Sequence, residues 1–215
     1  MYLPKHNLAD DETLHGLLSG LRAADLISAT AQGLYATFLP LMFDPSVGTH
    51  GALLGHVARK NDHWRLETIG ESMVIVHGPD GYISPSWYAA KREHGKVVPT
   101  WNYTTAHVYG ELKIHDDVEW LEAFVRRLTE HYESEREHPW EVDDAPRPYL
   151  DGQLKAIVGV ELLISRIEAK SKLGQQRSIA DVEGTIVGLR ADGESRLAAA
   201  TEAAAAQLIE ARSSD

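Results

Sequence analysis

The sequence predicts a mainly β protein with α additions: a small antiparallel barrel with peripheral helices and a C-terminal helix. Three observations predict it. Short apolar or alternating segments recur between glycine- and proline-bearing turns, as in small barrels. One segment, Asp117–Glu133, carries a single apolar stripe at helical spacing. The tail is rich in alanine, the best helix former.

The elements follow in chain order. Asp10–Arg22 places Leu14, Leu17, Leu18 and Leu21 on one helical face, with Asp10, Asp11 and Glu12 in the first turn, where negative charge favours a helix N-terminus. Ala23–Pro40 reads as two strands about a turn at Gln32-Gly33. His50–Lys60 is apolar and glycine-punctuated, then polar. Glu71–His77 is a short buried strand, and Gly78-Pro79-Asp80-Gly81 is expected to close it as a turn. Val97–Ile114 alternates in its second half, where His107, Tyr109, Glu111 and Lys113 interleave with Val108, Leu112 and Ile114. The helix over Asp117–Glu133 takes Asp116 or Asp117 as its cap and buries Trp120, Leu121, Phe124, Val125 and Leu128. Glu135–Pro148 is acidic and proline-bearing, hence a loop. Asp151–Ile157 suits a helical turn, Ile157–Glu168 a strand of branched apolar residues, and Glu194–Arg212 a helix; the small apolar positions of the tail predict weak packing at its end. The expected division is a barrel domain over 1–180 and a helical extension over 181–215.

Composition narrows the function. Apolar residues make up 43% and charged residues 25% of 215, values ordinary for a globular chain with a real core. No apolar run is long enough to cross a bilayer, and MYLPKHNLADDE holds no apolar signal core, so the expectation is a cytoplasmic protein with no membrane partner. The absence of cysteine removes disulfides, thiolate nucleophiles and Cys-based metal sites. The formal net charge is −11, and basic residues are scattered. DNA contact therefore gains no support from charge, although a local basic patch is compatible with it.

Three segments carry chemistry. Gly55-His56-Val57-Ala58-Arg59-Lys60-Asn61 combines a glycine with a cluster of donors that suits a phosphate monoester; the bland alternative is a solvated turn. Tyr82-Ile83-Ser84-Pro85-Ser86-Trp87-Tyr88 sets rings beside hydroxyls, as a flat ligand pocket or an aromatic corner of the core does. Val98-Pro99-Thr100-Trp101-Asn102-Tyr103 repeats that formula, and the linker between the two holds Lys91, Arg92 and Lys96. Together they ask for a planar heteroaromatic ligand bearing phosphate: FMN, pyridoxal phosphate or a mononucleotide. The eleven histidines include no HExxH, so no metal site is expected, whereas haem needs only one axial histidine. The sequence has no GxSxG, P-loop or GxGxxG motif.

The runs LLGHVARKN (Leu53–Asn61), HGPDGYISPSWY (His77–Tyr88), VPTWNY (Val98–Tyr103) followed by HVYGEL, and IVGVELLISRIEAKSKLGQQR (Ile157–Arg177) resemble the signature blocks of the PaiB-type proteins, the FMN-binding negative transcriptional regulators. The resemblance extends from the N-terminus to about Gly188. It implies a split β-barrel related to pyridoxamine-phosphate oxidase, a homodimer, and FMN at the subunit interface. By that resemblance Thr37 lies on a strand beside the flavin, and His56, Arg59 and Asn61 lie in the loop that meets its phosphate. Ser84, Trp87 and Tyr88 form the most distinctive block, and Thr100, Trp101 and Asn102 line the pocket. The last block usually reads KLSQN and a basic residue. Here Gly174 and Gln176 replace the serine and asparagine, while Lys172 and Arg177 keep the basic ends.

The resemblance implies a flavin-dependent transcriptional regulator or sensor. Two alternatives accompany it: a flavin-dependent oxidoreductase acting on a small molecule, and a haem-binding split barrel.

Overall fold

A computed structural model describes residues 1–213. Its strands are β1 (Ala23–Thr30), β2 (Gly33–Asp44), β3 (Ala52–Ala58), β4 (Ser72–Ile83), β5 (Thr100–His115) and β6 (Ile157–Lys172). They close into a barrel in the order β1-β2-β3-β6-β5-β4. The helices are α1 (Asp11–Ser19), α2 (Ala89–Glu93), α3 (Val118–Glu133), α4 (Arg147–Lys155), α5 (Ile179–Ala191) and α6 (Ser195–Ser213). The architecture is the split β-barrel with peripheral helices that the sequence predicts.

The chain divides into two compact units, and β4, β5 and β6 each run from one into the other. The first unit comprises Leu18–Val76 and His107–Ile167. Its β1 and β2 pair antiparallel from Thr30↔Gly33 to Ala23↔Pro40, about the Gln32-Gly33 turn. Alternation sends Ala24, Leu26, Ser28 and Thr30 of β1 inward. On β2, Leu39 and Leu41 are buried while Leu34 and Phe38, of the opposite parity, are 80% and 70% exposed. Strand β3 is buried nearly throughout because α3 covers its outer side: Ala52 and Leu54 pack with Phe124, flanked by Trp120, Val125 and Leu128. The helix begins where expected, with Asp117 Oδ1 accepting from Trp120 N at 2.7 Å. Helix α4 starts at Arg147, earlier than the sequence suggests, because Pro146 and Pro148 sit at its opening turn, where a missing N–H costs nothing.

The second unit comprises Met1–Leu17, His77–Ala106 and the chain from Glu168 on. Here the expected turn at Gly78–Gly81 is not a turn, because β4 continues through it to Ile83. A side chain at Gly78 would meet the Thr104 carbonyl oxygen at 3.1 Å and Leu17 at 2.8 Å, so the glycine serves close strand packing rather than chain reversal. The alanine-rich tail is packed at the start of α6, while most of its described residues from Glu202 on are exposed, as its small residues suggest. Leu189 of α5 and Leu197 and Ala198 of α6 are buried with Ile83, Tyr88 and Leu173. The small side chains of α6 bring it close to its neighbours. Ser214 and Asp215, the end of the expected extension, lie outside the described residues.

Candidate functional site

The second unit gathers most of the predicted pocket residues. Strand β6 delivers Lys172 to the start of β5, where its Nζ donates to Thr100 Oγ1 at 2.6 Å and to the Trp101 carbonyl at 2.7 Å. An ammonium has three protons, so one remains for an anion. Tyr103 lies beneath the same ammonium, with its ring centre 5.9 Å away, and Lys170 stands 5.4 Å from that ring. Trp101 is half exposed, and its indole N–H donates to Asp80 Oδ1 at 2.9 Å, which fixes the ring plane while leaving a face open. Asn102, on the opposite parity, is buried.

The turn after β6 is tightly specified. Gln175 accepts from Leu173 N at 2.9 Å and donates to the Ser171 carbonyl at 2.7 Å. Gly174 takes φ +90°, a conformation that suits glycine. Arg177 N then donates to the Gly174 carbonyl, and its guanidinium lies 3.9 Å from the centre of the Tyr88 ring. Burial pushes the Tyr88 hydroxyl up, against the charge of Arg177. Tyr88 itself is buried in the core beside Ile83 and Leu173. Ser84 caps the single 3-10 turn Pro85–Trp87 by accepting from Ser86 N at 3.2 Å. Trp87 rests on α5 at Gly184 and Gly188. Of the Tyr82–Tyr88 segment, then, Tyr88 and Trp87 serve as packing aromatics.

The first unit gathers a different group. Asn61 Nδ2 donates to Thr37 Oγ1 at 3.2 Å, and Thr37 Oγ1 also meets His63 Nδ1 at 2.9 Å. The other ring nitrogen of His63 meets Ser28 Oγ at 2.8 Å, and Ser28 meets Ser72 Oγ at 2.7 Å. Asn61 positions the histidine, accepting from His63 N at 2.9 Å as cap of the 3-10 turn Asp62–Arg65. Tyr35 closes the group edge-on to the imidazole at 5.0 Å. Burial holds the His63 imidazole below its ordinary pKa, so it is neutral at pH 7. Sequence reasoning missed His63; its signal was only the Asn61-Asp62-His63 cap pattern.

His56 and Arg59 do not join that group. The Arg59 guanidinium donates to the carbonyls of Lys155 at 2.6 Å and Ile157 at 3.0 Å, and pairs with Asp116. It ties the end of β3 to the α4–β6 junction. His56 faces α3, edge-on to Phe124 at 5.9 Å. Among the described residues no group of three His, Asp or Glu side chains is placed to hold a metal ion, and no helix is long and apolar enough to cross a membrane.

A cation with an uncommitted proton, a hydroxyl and an open indole face fit a planar, phosphate-bearing ligand such as FMN. Fold and donor set together define a split-barrel flavin-binding protein. Comparison with known proteins agrees. The family described as "Putative FMN-binding domain" matches residues 1–166, and the chain belongs to it. The Bacillus subtilis protease synthase and sporulation protein PAI 2 is 33% identical over 88% of this chain and 89% of its own length. An uncharacterised Aspergillus fumigatus protein is 34% identical over 65% of this chain and 66% of its own. Among solved structures, the FAD and haem binding protein of Mycobacterium smegmatis superposes with a TM-score of 0.57 at 14% identity, over 83% of this chain and 80% of its own. The flavocytochrome Anf3 of Azotobacter vinelandii gives 0.53 at 14% identity, over 81% and 73%. Those two likenesses are of fold.

Proposed function

We propose that the protein is a homodimeric, cytoplasmic, FMN-dependent sensor whose flavin occupancy or redox state controls transcription through a protein partner. The observation that carries the cofactor half is the seat of Lys172 against Thr100 and Trp101, which leaves one ammonium proton beside an open ring face. Lys172 and Thr100 hold the phosphate in this reading, and Trp101 contacts the ring system. Bound FMN supplies a reversible electron acceptor. Asp80 holds the indole plane, and Gln175 holds the turn that presents Lys172.

Membership of the FMN-binding family and the likeness to PAI 2 support the sensor reading. The net charge of −11 favours action through a partner over direct DNA contact. The exposed apolar side of β2, with Leu34 and Phe38 outermost, supports a second copy as the covering surface.

The test has three arms. FMN is titrated by fluorescence quenching into wild type, Lys172→Gln and Thr37→Val. Loss in Lys172→Gln alone supports the assignment, and loss in Thr37→Val alone moves the cofactor to the Asn61–Thr37–His63 group. Duplex DNA binding is measured by anisotropy at low salt, with and without FMN. Tight binding with a steep salt dependence would overturn the partner-mediated reading. Finally, NADH and NADPH are offered to the loaded protein, and rapid multiple-turnover bleaching of the flavin would make it an oxidoreductase instead.

A further inference from the structure

A pocket lies in the first unit, and none of Asn61, Thr37, His63, Ser28 and Ser72 lines it. Val125 of α3, Val142 of the 3-10 turn Val142–Asp144, Leu150 and Leu154 of α4, and Ile157 at the start of β6 line a volume of about 210 Å³ against β3. The wall is mostly apolar; its polar side chains are His56 on β3, Glu122 and Gln153. His56 lines the pocket, and its Nδ1 is buried with no hydrogen-bond partner.

A buried polar atom without a partner is rare and costs stability, so it asks for an occupant. The polar neighbours do not serve. Glu122 reaches the pocket, but Arg126 and Arg147 hold its carboxylate at 2.8 Å each. Gln153 is exposed. A water inside would find His56 and little else, whereas a buried water typically makes about three hydrogen bonds. A dry apolar cavity of roughly 150 Å³ already holds benzene, so this pocket has room for a six-membered ring with a polar substituent.

We propose that this pocket binds a small apolar alcohol or phenol, its hydroxyl on His56 Nδ1 and its hydrocarbon part against Val125, Leu150 and Leu154. A hydroxyl both donates and accepts, so it satisfies either tautomer of the imidazole. Burial keeps that imidazole uncharged, which favours a neutral ligand over a carboxylate or an amine. The site is independent of the flavin assignment and stands if that assignment fails.

The test uses the full-length protein, with FMN and without it, and the probes phenol and benzene. Binding is followed by the His56 ring signals in two-dimensional NMR and by calorimetry. The expected result is that both bind, phenol tighter by roughly three- to ten-fold, the worth of one net hydrogen bond. The His56 ring resonances move with phenol, and FMN leaves both affinities unchanged. In His56→Leu the two probes bind equally while benzene affinity is kept. Equal affinity of the probes for the wild type, or no binding of either, overturns the proposal. So does competition by FMN, which would make the pocket part of the flavin site. Should His56→Leu fail to fold, the wild-type ring shifts and the phenol-to-benzene ratio decide the matter alone.

Discussion

Ser28 and His63 meet at 2.8 Å, Oγ against Nε2, with 1% and 2% of their surfaces exposed. The contact puts a polar chain from Asn61 through Thr37, His63 and Ser28 to Ser72 where a small barrel would ordinarily place branched apolar side chains. Each member has a partner, which is the condition for a buried polar network to be tolerated.

The network predicts an order of stabilities. His63→Phe keeps the ring volume, and Ser28 and Thr37 keep Ser72 and Asn61 as partners. The cost should be about 1–2 kcal/mol, the loss of two net hydrogen bonds. His63→Ala opens a cavity as well and should cost about 3 kcal/mol or more. Urea unfolding of the two variants measures the order, and an Ala variant as stable as the Phe variant would refute it.

The two buried histidines also set a pH dependence. Burial lowers both His56 and His63 from their ordinary 6.5. The unfolded chain then takes up protons near pH 6.5 while the folded chain does not, so folded stability falls as pH drops below about 6.5 and is level above it, up to where other groups titrate. Urea midpoints between pH 5 and 8 should fall on the acid side, and the slope should lessen in His56→Leu and in His63→Phe. An unchanged slope in both variants would assign the acid sensitivity elsewhere.

Much of this was legible in the sequence, for identifiable reasons. The β1–β2 hairpin and helix α3 announce themselves because one face of each is buried and the other is not, so period 2 or 3.6 appears in the residues. Glycines misled where they serve contact instead of turning: Gly78 and Gly81 lie inside β4 because Thr104 and Leu197 crowd them. Site residues were legible as types but not as roles. Arg59 looked like a phosphate donor, yet its guanidinium is taken up by two carbonyls and Asp116, partners far along the chain. His63 was missed because the local cap pattern at Asn61 says nothing of its side-chain partners, which come from β1 and β2. Thr100 was legible as part of the Val98–Tyr103 segment, whereas its partner Lys172, 72 positions on, entered only through the family resemblance.

Two glycines of α5 make a matched pair of predictions. Alanine in a helix interior normally gains about 1 kcal/mol over glycine. Here a Cβ at Gly188 would stand 2.2 Å from the Trp87 ring, and one at Gly184 would stand 2.1 Å from the Trp87 carbonyl oxygen. Both Gly→Ala changes should therefore destabilise. They part company in a Trp87→Ala background. There Gly188→Ala becomes neutral or favourable because the ring is gone, while Gly184→Ala still costs because the backbone remains. Thermal unfolding of the two double-mutant cycles measures this, and a rescue of Gly184→Ala by Trp87→Ala would show that the backbone of the Pro85–Trp87 turn yields.

The last prediction concerns which half of the flavin Lys172 reads. Its ammonium is fixed by Thr100 and the Trp101 carbonyl at 2.6 and 2.7 Å, so it is preorganised as a point charge and loses little freedom on taking an anion. A charge-assisted hydrogen bond contributes about 1.5–3 kcal/mol, equivalent to roughly ten- to a hundred-fold in affinity. Lys172→Gln should weaken FMN by that factor and leave riboflavin, which lacks the phosphate, unaffected. Trp101→Ala should weaken both alike, because the indole meets the ring system common to the two. Salt should loosen FMN more than riboflavin in the wild type, and the difference should shrink in Lys172→Gln, since the screened charge is then absent. If Lys172→Gln weakens riboflavin as much as FMN, the ammonium orders the start of β5 and the phosphate is bound elsewhere.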